Sequence, residues 1–149
     1  MQALLTSRVM RTAGKLCTFT VAALMLGCQR GPAPLSPVSG KVAFKGVILP
    51  SGTIVFTPDT SRGASGPIAF GKIKQDGSYQ LYTGEAPGAA AGWYRVTVTS
   101  LAPSSAPAPG QPFNTLVSYL PDKYRNPELS QLACEIKSNR PNAIDFNLD

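Results

Sequence analysis

From Val38 onward, apolar residues recur at every second position in short runs, and glycine or proline closes most of them. A strand turns successive side chains to opposite faces, so this period-two pattern with frequent breaks specifies short strands with one buried side. No ten-residue stretch carries the 3.6-residue repeat of an amphipathic helix, so no substantial helix is expected. The pattern predicts strands over 38–44, 53–58, 68–74, 78–83, 93–99, 132–137 and 143–148, with a short extended piece at 47–49. A further stretch, 113–120, is partly extended. Seven or eight strands in about 110 residues predict an all-β domain, a β-sandwich. Its inward set is Val42, Phe44, Ile54, Phe56, Ile73, Tyr79, Leu81, Tyr94, Val96, Val98, Leu132, Ile136, Ile144, Phe146 and Leu148. At roughly 1.5–3 kcal/mol per fully buried side chain, that set supports a core without metal or disulfides.

The breaks carry their own chemistry. Asp76-Gly77 is a hairpin signal, because glycine tolerates the positive φ of a tight turn. The segments 59–67 and 84–92 read as loops of small and polar residues. The segment 102–112 holds four prolines and cannot be a central strand, so an exposed loop is expected there. Pro121 to Pro127 is turn-rich, with room for one helical turn.

The N-terminal part differs. Arg8, Arg11 and Lys15 precede an uncharged apolar run, Leu16 to Leu26, and no acid occurs before Asp59. The run is too short to cross a bilayer, which takes about 20 apolar residues. Basic flank, short apolar run and small residue together describe a secretory signal peptide. Its end, Met25-Leu26-Gly27-Cys28, resembles the bacterial lipobox. The resemblance implies cleavage after Gly27 and a diacylglycerol on the Cys28 sulfur. The alternative is an ordinary signal peptide in which Cys28 has no role. The resulting division is signal peptide 1–27, proline-rich tether 28–37 and β domain 38–149. By the same resemblance, Gln29 after Cys28 points to the outer membrane and an exported, envelope-facing location. Removing the signal removes three of the 14 Lys+Arg and none of the 8 Asp+Glu, so the net charge falls from +6 to +3. The remaining basic residues are dispersed, which argues against nucleic acid as a partner.

A wider resemblance is carried by five landmarks in order. They are Val38-Ser39-Gly40-Lys41-Val42-Ala43-Phe44-Lys45-Gly46; Gly52-Thr53-Ile54-Val55-Phe56-Thr57-Pro58; Asp76-Gly77-Ser78-Tyr79-Gln80-Leu81; Gly92-Trp93-Tyr94-Arg95-Val96-Thr97-Val98; and Leu120-Pro121-Asp122-Lys123-Tyr124. Together they resemble the carboxypeptidase regulatory-like, transthyretin-like domain of small lipoproteins from planctomycete-type bacteria. The resemblance spans 38–149 and implies a Greek-key-type sandwich and an envelope location. It implies no activity, because a fold does not fix a function.

Composition narrows the chemistry further. The chain has no histidine, so no Ser-His-Asp triad, Cys-His pair or HExxH zinc site can form. Cys134 alternates with Leu132 and Ile136 and reads as a buried strand residue. Cys17 lies in the segment lost on cleavage. A carboxylate pair could serve glycoside hydrolysis, but Asp59, Asp76, Glu85, Asp122, Glu128, Glu135, Asp145 and Asp149 fall mostly at turns or solvent faces. The expectation is therefore a non-enzymatic module without cofactor. It is held to the membrane through Cys28 and contacts an envelope protein or polysaccharide. Asp59, Asp76 and Asp122 are the loop carboxylates open to Ca²⁺, without an EF-hand ladder. Trp93 and Tyr82 lie opposite the inward faces and are candidates for an exposed contact; Trp93 equally fits packing beneath a neighbouring loop. Tyr119 and Tyr124, near the Pro121 turn, are candidates for a second patch; a local packing role fits them as well.

Overall fold

The computed structural model describes residues 33–103 and 116–149. Its strands are β1 (Leu35–Ser36), β2 (Val38–Phe44), β3 (Val47–Ile48), β4 (Gly52–Pro58), β5 (Ala69–Ile73), β6 (Ser78–Gln80), β7 (Tyr82–Thr83) and β8 (Ala86–Pro87). After these come β9 (Ala89–Ala90), β10 (Gly92–Thr99), β11 (Leu101–Pro103), β12 (Leu116–Ser118), β13 (Ala133–Ile136), β14 (Asn142–Ala143) and β15 (Phe146–Leu148). Two 3₁₀ turns, Thr60–Arg62 and Asp122–Arg125, are the helical elements among the described residues. The domain is all-β, as the period-two pattern requires. None of its described helices is long and apolar enough to cross a membrane.

Six strands form one antiparallel sheet in the order β13-β10-β4-β5-β7-β8. A second sheet is built around β2. It pairs antiparallel with β3 and β6, and parallel with β14 and β15. β1 adds to β9, and β11 to β12. Phe56 of β4 ties the two sheets together. Its ring centroid lies 6.2 Å from Tyr79 of β6, 6.0 Å from Phe146 of β15 and 6.0 Å from Tyr94 of β10. These tilted and edge contacts suit the quadrupoles of aromatic rings. Ile54, Val96, Val98, Val42, Leu81 and Leu148 complete a fully buried centre. The inward set read from the alternation is buried, with Phe44, Leu132 and Ile144 at its margin.

Two glycines make the packing of these layers possible. A Cβ at Gly40 would overlap the Ile144 carbonyl oxygen, and the Ile144 carbonyl carbon would sit 2.6 Å away. β2 can therefore lie against the β14–β15 segment only with glycine there. A Cβ at Gly71 would meet the Gln80 carbonyl oxygen at 2.6 Å. That contact marks the point where the chain changes sheets.

The structure corrects the sequence reading at several places. The single strand expected over 78–83 is broken at Leu81. β6 belongs to the β2 sheet and β7 to the six-stranded sheet. Leu81 itself is fully buried, with its N–H donating to the Val38 carbonyl and its own carbonyl accepting from Gly88 N–H. Both Tyr79 and Leu81 are inward, as alternation demands, Tyr79 from β6 and Leu81 from the link between the two sheets. The strand expected over 143–148 is likewise two pieces, β14 and β15, both parallel to β2. The loop expected over 84–92 contains β8 and β9, and Ala89 and Ala90 are buried because β1 covers them. β1 also takes Leu35 and Ser36, within the stretch read as tether, into the domain; Ser36 is buried.

Candidate functional site

Strand alternation sends Ile54 and Phe56 of β4 inward and Val55 outward. On β5 the same rule produces an inversion of the usual preference. Ala69 and Gly71 face the core, and Phe70 faces solvent with 42% of its surface exposed. The space beneath β5 is already taken by the Gln80 backbone and the Leu81 side chain, which lie against Gly71. A larger inward residue would not fit, and the aromatic ring is left on the outer face. Tyr82 is directly opposite Phe70 in register and is 38% exposed.

The pairings continue in both directions. Tyr82 pairs with Pro87, Phe70 with Val55, and Val55 with Thr97. Pro87, Tyr82, Phe70, Val55 and Thr97 thus form one cross-strand row over five strands of the outer face. Ile68, 54% exposed, precedes β5 on the same side. Directly opposed residues have Cβ atoms about 4.5–5.5 Å apart, so the aromatic side chains of Phe70 and Tyr82 are neighbours. Solvent-facing residues of a half-buried sheet are usually polar, so an exposed aromatic pair within an apolar row is a candidate contact surface. Tyr82 was a sequence candidate; Phe70 was not. Counting back from the inward Ile73 by steps of two would have placed Phe70 outward.

Trp93 shares the outer face but is covered. The Arg62 guanidinium lies 4.1 Å from the ring centroid, a cation–π contact. Asp59 fixes that arginine in place. Its carboxylate is almost wholly buried and accepts from Ser61 N–H at 3.1 Å and Ser61 Oγ at 2.6 Å. It also lies 3.5 Å from Arg62 Nε and 3.3 Å from Arg95 Nε. The Ser61 hydrogen bond and then Arg95 hold the carboxyl below its ordinary range, against the desolvation that would raise it. Arg95 in turn pairs with Glu128, which raises the pKa of the guanidinium further. Trp93 therefore packs under the 59–67 loop, and Asp59 caps a turn rather than projecting from a loop as an open oxygen ligand.

The second aromatic patch does not form. Tyr119 is 52% exposed and lies beside Val117 of β12. Tyr124 is buried, because its ring packs in the core and its hydroxyl meets the Asp149 carboxylate at 2.7 Å. That hydrogen bond and Lys123 lower the Asp149 pKa. Tyr124 is thus structural, a correction to its place among the contact candidates.

The other carboxylates are engaged separately. Asp76 accepts from Ser78 N–H and Oγ in the β5–β6 turn, Asp122 pairs with Arg125, and Asp145 accepts from Lys41 N–H. Among the described residues, no three Asp, Glu or Cys side chains are grouped as a metal site would need. Cys134 on β13 is half-buried, and burial pushes its thiol up to about 12. A thiol so shifted stays protonated and unreactive at neutral pH. Gly27, Cys28, the signal segment 1–27 and residues 104–112 of the proline-rich stretch lie outside the described residues. No family model, no curated protein and no solved structure matches the chain.

Proposed function

We propose that the chain is a membrane-anchored lipoprotein of the cell envelope, whose domain is a non-enzymatic contact module of the carboxypeptidase regulatory-like, transthyretin-like kind. The domain is read as a Greek-key-type sandwich. Support for that comes from the Phe56 contacts between the two sheets, and from β2 taking neighbours far along the chain. The anchor rests on Gly27-Cys28 at the end of a short apolar run behind three basic residues.

The observation that carries the contact role is the outer row of Pro87, Tyr82, Phe70 and Val55, with its aromatic pair open to solvent. Asp59, Asp76, Asp122, Glu128 and Asp149 are engaged in turn caps, hydrogen bonds and ion pairs that stabilise loops rather than converge on a substrate. The test is fractionation of the full chain beside Cys28→Ala, with the mass of the mature N-terminus measured in each. The parent is expected in the membrane fraction with a diacylglycerol on Cys28, and the variant in the soluble fraction. Equal partitioning of the two would refute the anchor.

A further inference from the structure

We infer that the Pro87–Tyr82–Phe70 end of the outer row lies against the surface of the bilayer that holds Cys28. This rests on the anchored reading above and names what the row contacts. The first argument is reach. Six residues and seven Cα–Cα steps separate Cys28 from Leu35, where β1 joins the fold. Fully extended, they span at most about 25 Å. A domain of this size has a radius of gyration of about 13 Å, hence a width of more than 30 Å. The tether is shorter than the body it holds, so the part of the domain around β1 must stay close to the lipid.

The second argument is what surrounds that attachment point. β1 pairs with β9, with Ser36 opposite Ala89. Ala89 is two residues from Pro87, the end of the row, at most about 7.6 Å along the chain. Tyr82 is the cross-strand partner of Pro87, and Phe70 is the partner of Tyr82. With strands about 4.8 Å apart, both aromatic side chains fall within the half of the domain nearest β1. β8 is also the edge of the six-stranded sheet. Tyrosine suits such a place, since its amphipathic ring settles at the headgroup level, and phenylalanine beside it adds apolar area.

The third argument is charge. Lys72 lies one row along on the same outer face, opposite Thr53, and Glu85 lies in the turn between β7 and β8. One charge of each sign leaves this end without a net electrostatic pull, so the contact is apolar and indifferent to lipid charge. Two exposed rings and a proline do not hold a free domain on a membrane. A tether this short supplies the high local concentration that makes so small a contact persist.

The test uses the full lipidated chain in phosphatidylcholine vesicles, with an environment-sensitive fluorophore on Lys72→Cys or on Val47→Cys. Val47 is 70% exposed and belongs to the other sheet. Lipidation blocks Cys28, and the half-buried Cys134 thiol, held protonated, labels slowly. The label at position 72 should blue-shift on reconstitution, and the label at 47 should not. The shift should be unchanged by phosphatidylglycerol or salt, and lost in Phe70→Ser/Tyr82→Ser. A silent label at 72 in an anchored chain, equal shifts at both sites, or a shift that survives loss of the row would overturn the proposal. A shift produced by soluble envelope polysaccharide without vesicles would overturn it in favour of a polymer contact. Failure of the anchor itself is read separately, from Cys28→Ala fractionating with the parent. Comparison of the labels at 72 and 47 does not depend on the double variant folding.

Discussion

Replacing Gly40 with alanine should be among the most damaging single-methyl additions in this domain. The new Cβ would overlap the Ile144 carbonyl group, whose carbon would stand 2.6 Å away. Carbon atoms rest about 3.5–4.0 Å apart, so the segment carrying Ile144 between β14 and β15 must retreat by about 1 Å. That carbonyl accepts the Tyr79 hydroxyl at 2.6 Å, and Ile144 N–H donates to Ser39 at 2.9 Å. Retreat stretches both bonds and leaves a largely buried hydroxyl without its partner, which costs about 1–3 kcal/mol. Overpacking of the surrounding core adds roughly 1–3 kcal/mol. An overall loss of about 4 kcal/mol follows, a large fraction of the ordinary margin of about 5–15 kcal/mol. Gly46→Ala is the control, with open space around its Cβ and a φ of +78°. It should cost only the left-handed penalty of about 1–2 kcal/mol. Urea unfolding of the chain gives both values, and a double-mutant cycle with Tyr79→Phe isolates the mechanism. Gly40→Ala should already have broken the hydroxyl bond, so the two changes should be less than additive. A Gly40→Ala loss equal to that of Gly46→Ala, or strict additivity with Tyr79→Phe, would refute the reasoning.

Three further outcomes follow from the buried polar groups. The Asp59 carboxyl titrates below its ordinary 3.8 in the fold, so its contribution is intact above that pH and is lost as pH falls through the lower folded value. Asp59→Asn should produce at neutral pH the change in Trp93 emission that the parent shows only in acid, because Arg62 is released from the ring; unchanged emission would count against the latch. At the alkaline end, Cys134 is raised from 9.0 to about 12, and Tyr79 and Tyr94 are also raised by burial. Stability should therefore hold up to about pH 9 and fall as pH rises towards 12, and native-state thiol labelling that already follows a pKa near 9 would contradict the burial of Cys134. Ser130→Ala removes the hydroxyl that donates to Val96 at 2.7 Å and should cost about 1 kcal/mol or slightly more, measured by the same urea titration.

The course of the strands was legible where one residue type forces one answer. Ile54-Val55-Phe56 and Tyr94-Arg95-Val96-Thr97-Val98 alternate cleanly, and both strands form with the expected faces. The 3₁₀ turn at Asp122–Arg125 was foreshadowed by the prolines that flank it. Pairing partners were not legible, because alternation records which side is buried and says nothing of which strand lies alongside. The split at Leu81 was hidden for that reason: Ser78 to Thr83 keeps perfect period two while its hydrogen bonds pass from one sheet to the other. Ala89 and Ala90 looked like loop because small residues bury without leaving an apolar pattern. At the candidate site, Tyr82 was visible from phase alone. The cover over Trp93 was not, since Arg62 reaches it only through a turn that Asp59 organises from inside. For Tyr124 the sequence left a surface patch and local packing both open, because its hydroxyl partner lies 25 residues away.

The pairing of β2 with β14 and β15 also has a temporal meaning. Lys41 and Asp145, joined by a hydrogen bond, stand 104 residues apart in the chain. The first long strand to emerge during synthesis is therefore among the last to gain its full set of neighbours, and loop closure over such a span makes folding slow. Until residues near 148 arrive, one side of β2 presents unpaired peptide groups beside Val42 and Phe44. A nascent chain in that condition is exposed to wrong partners, and deletion of the last few residues should turn a transient hazard into a permanent one.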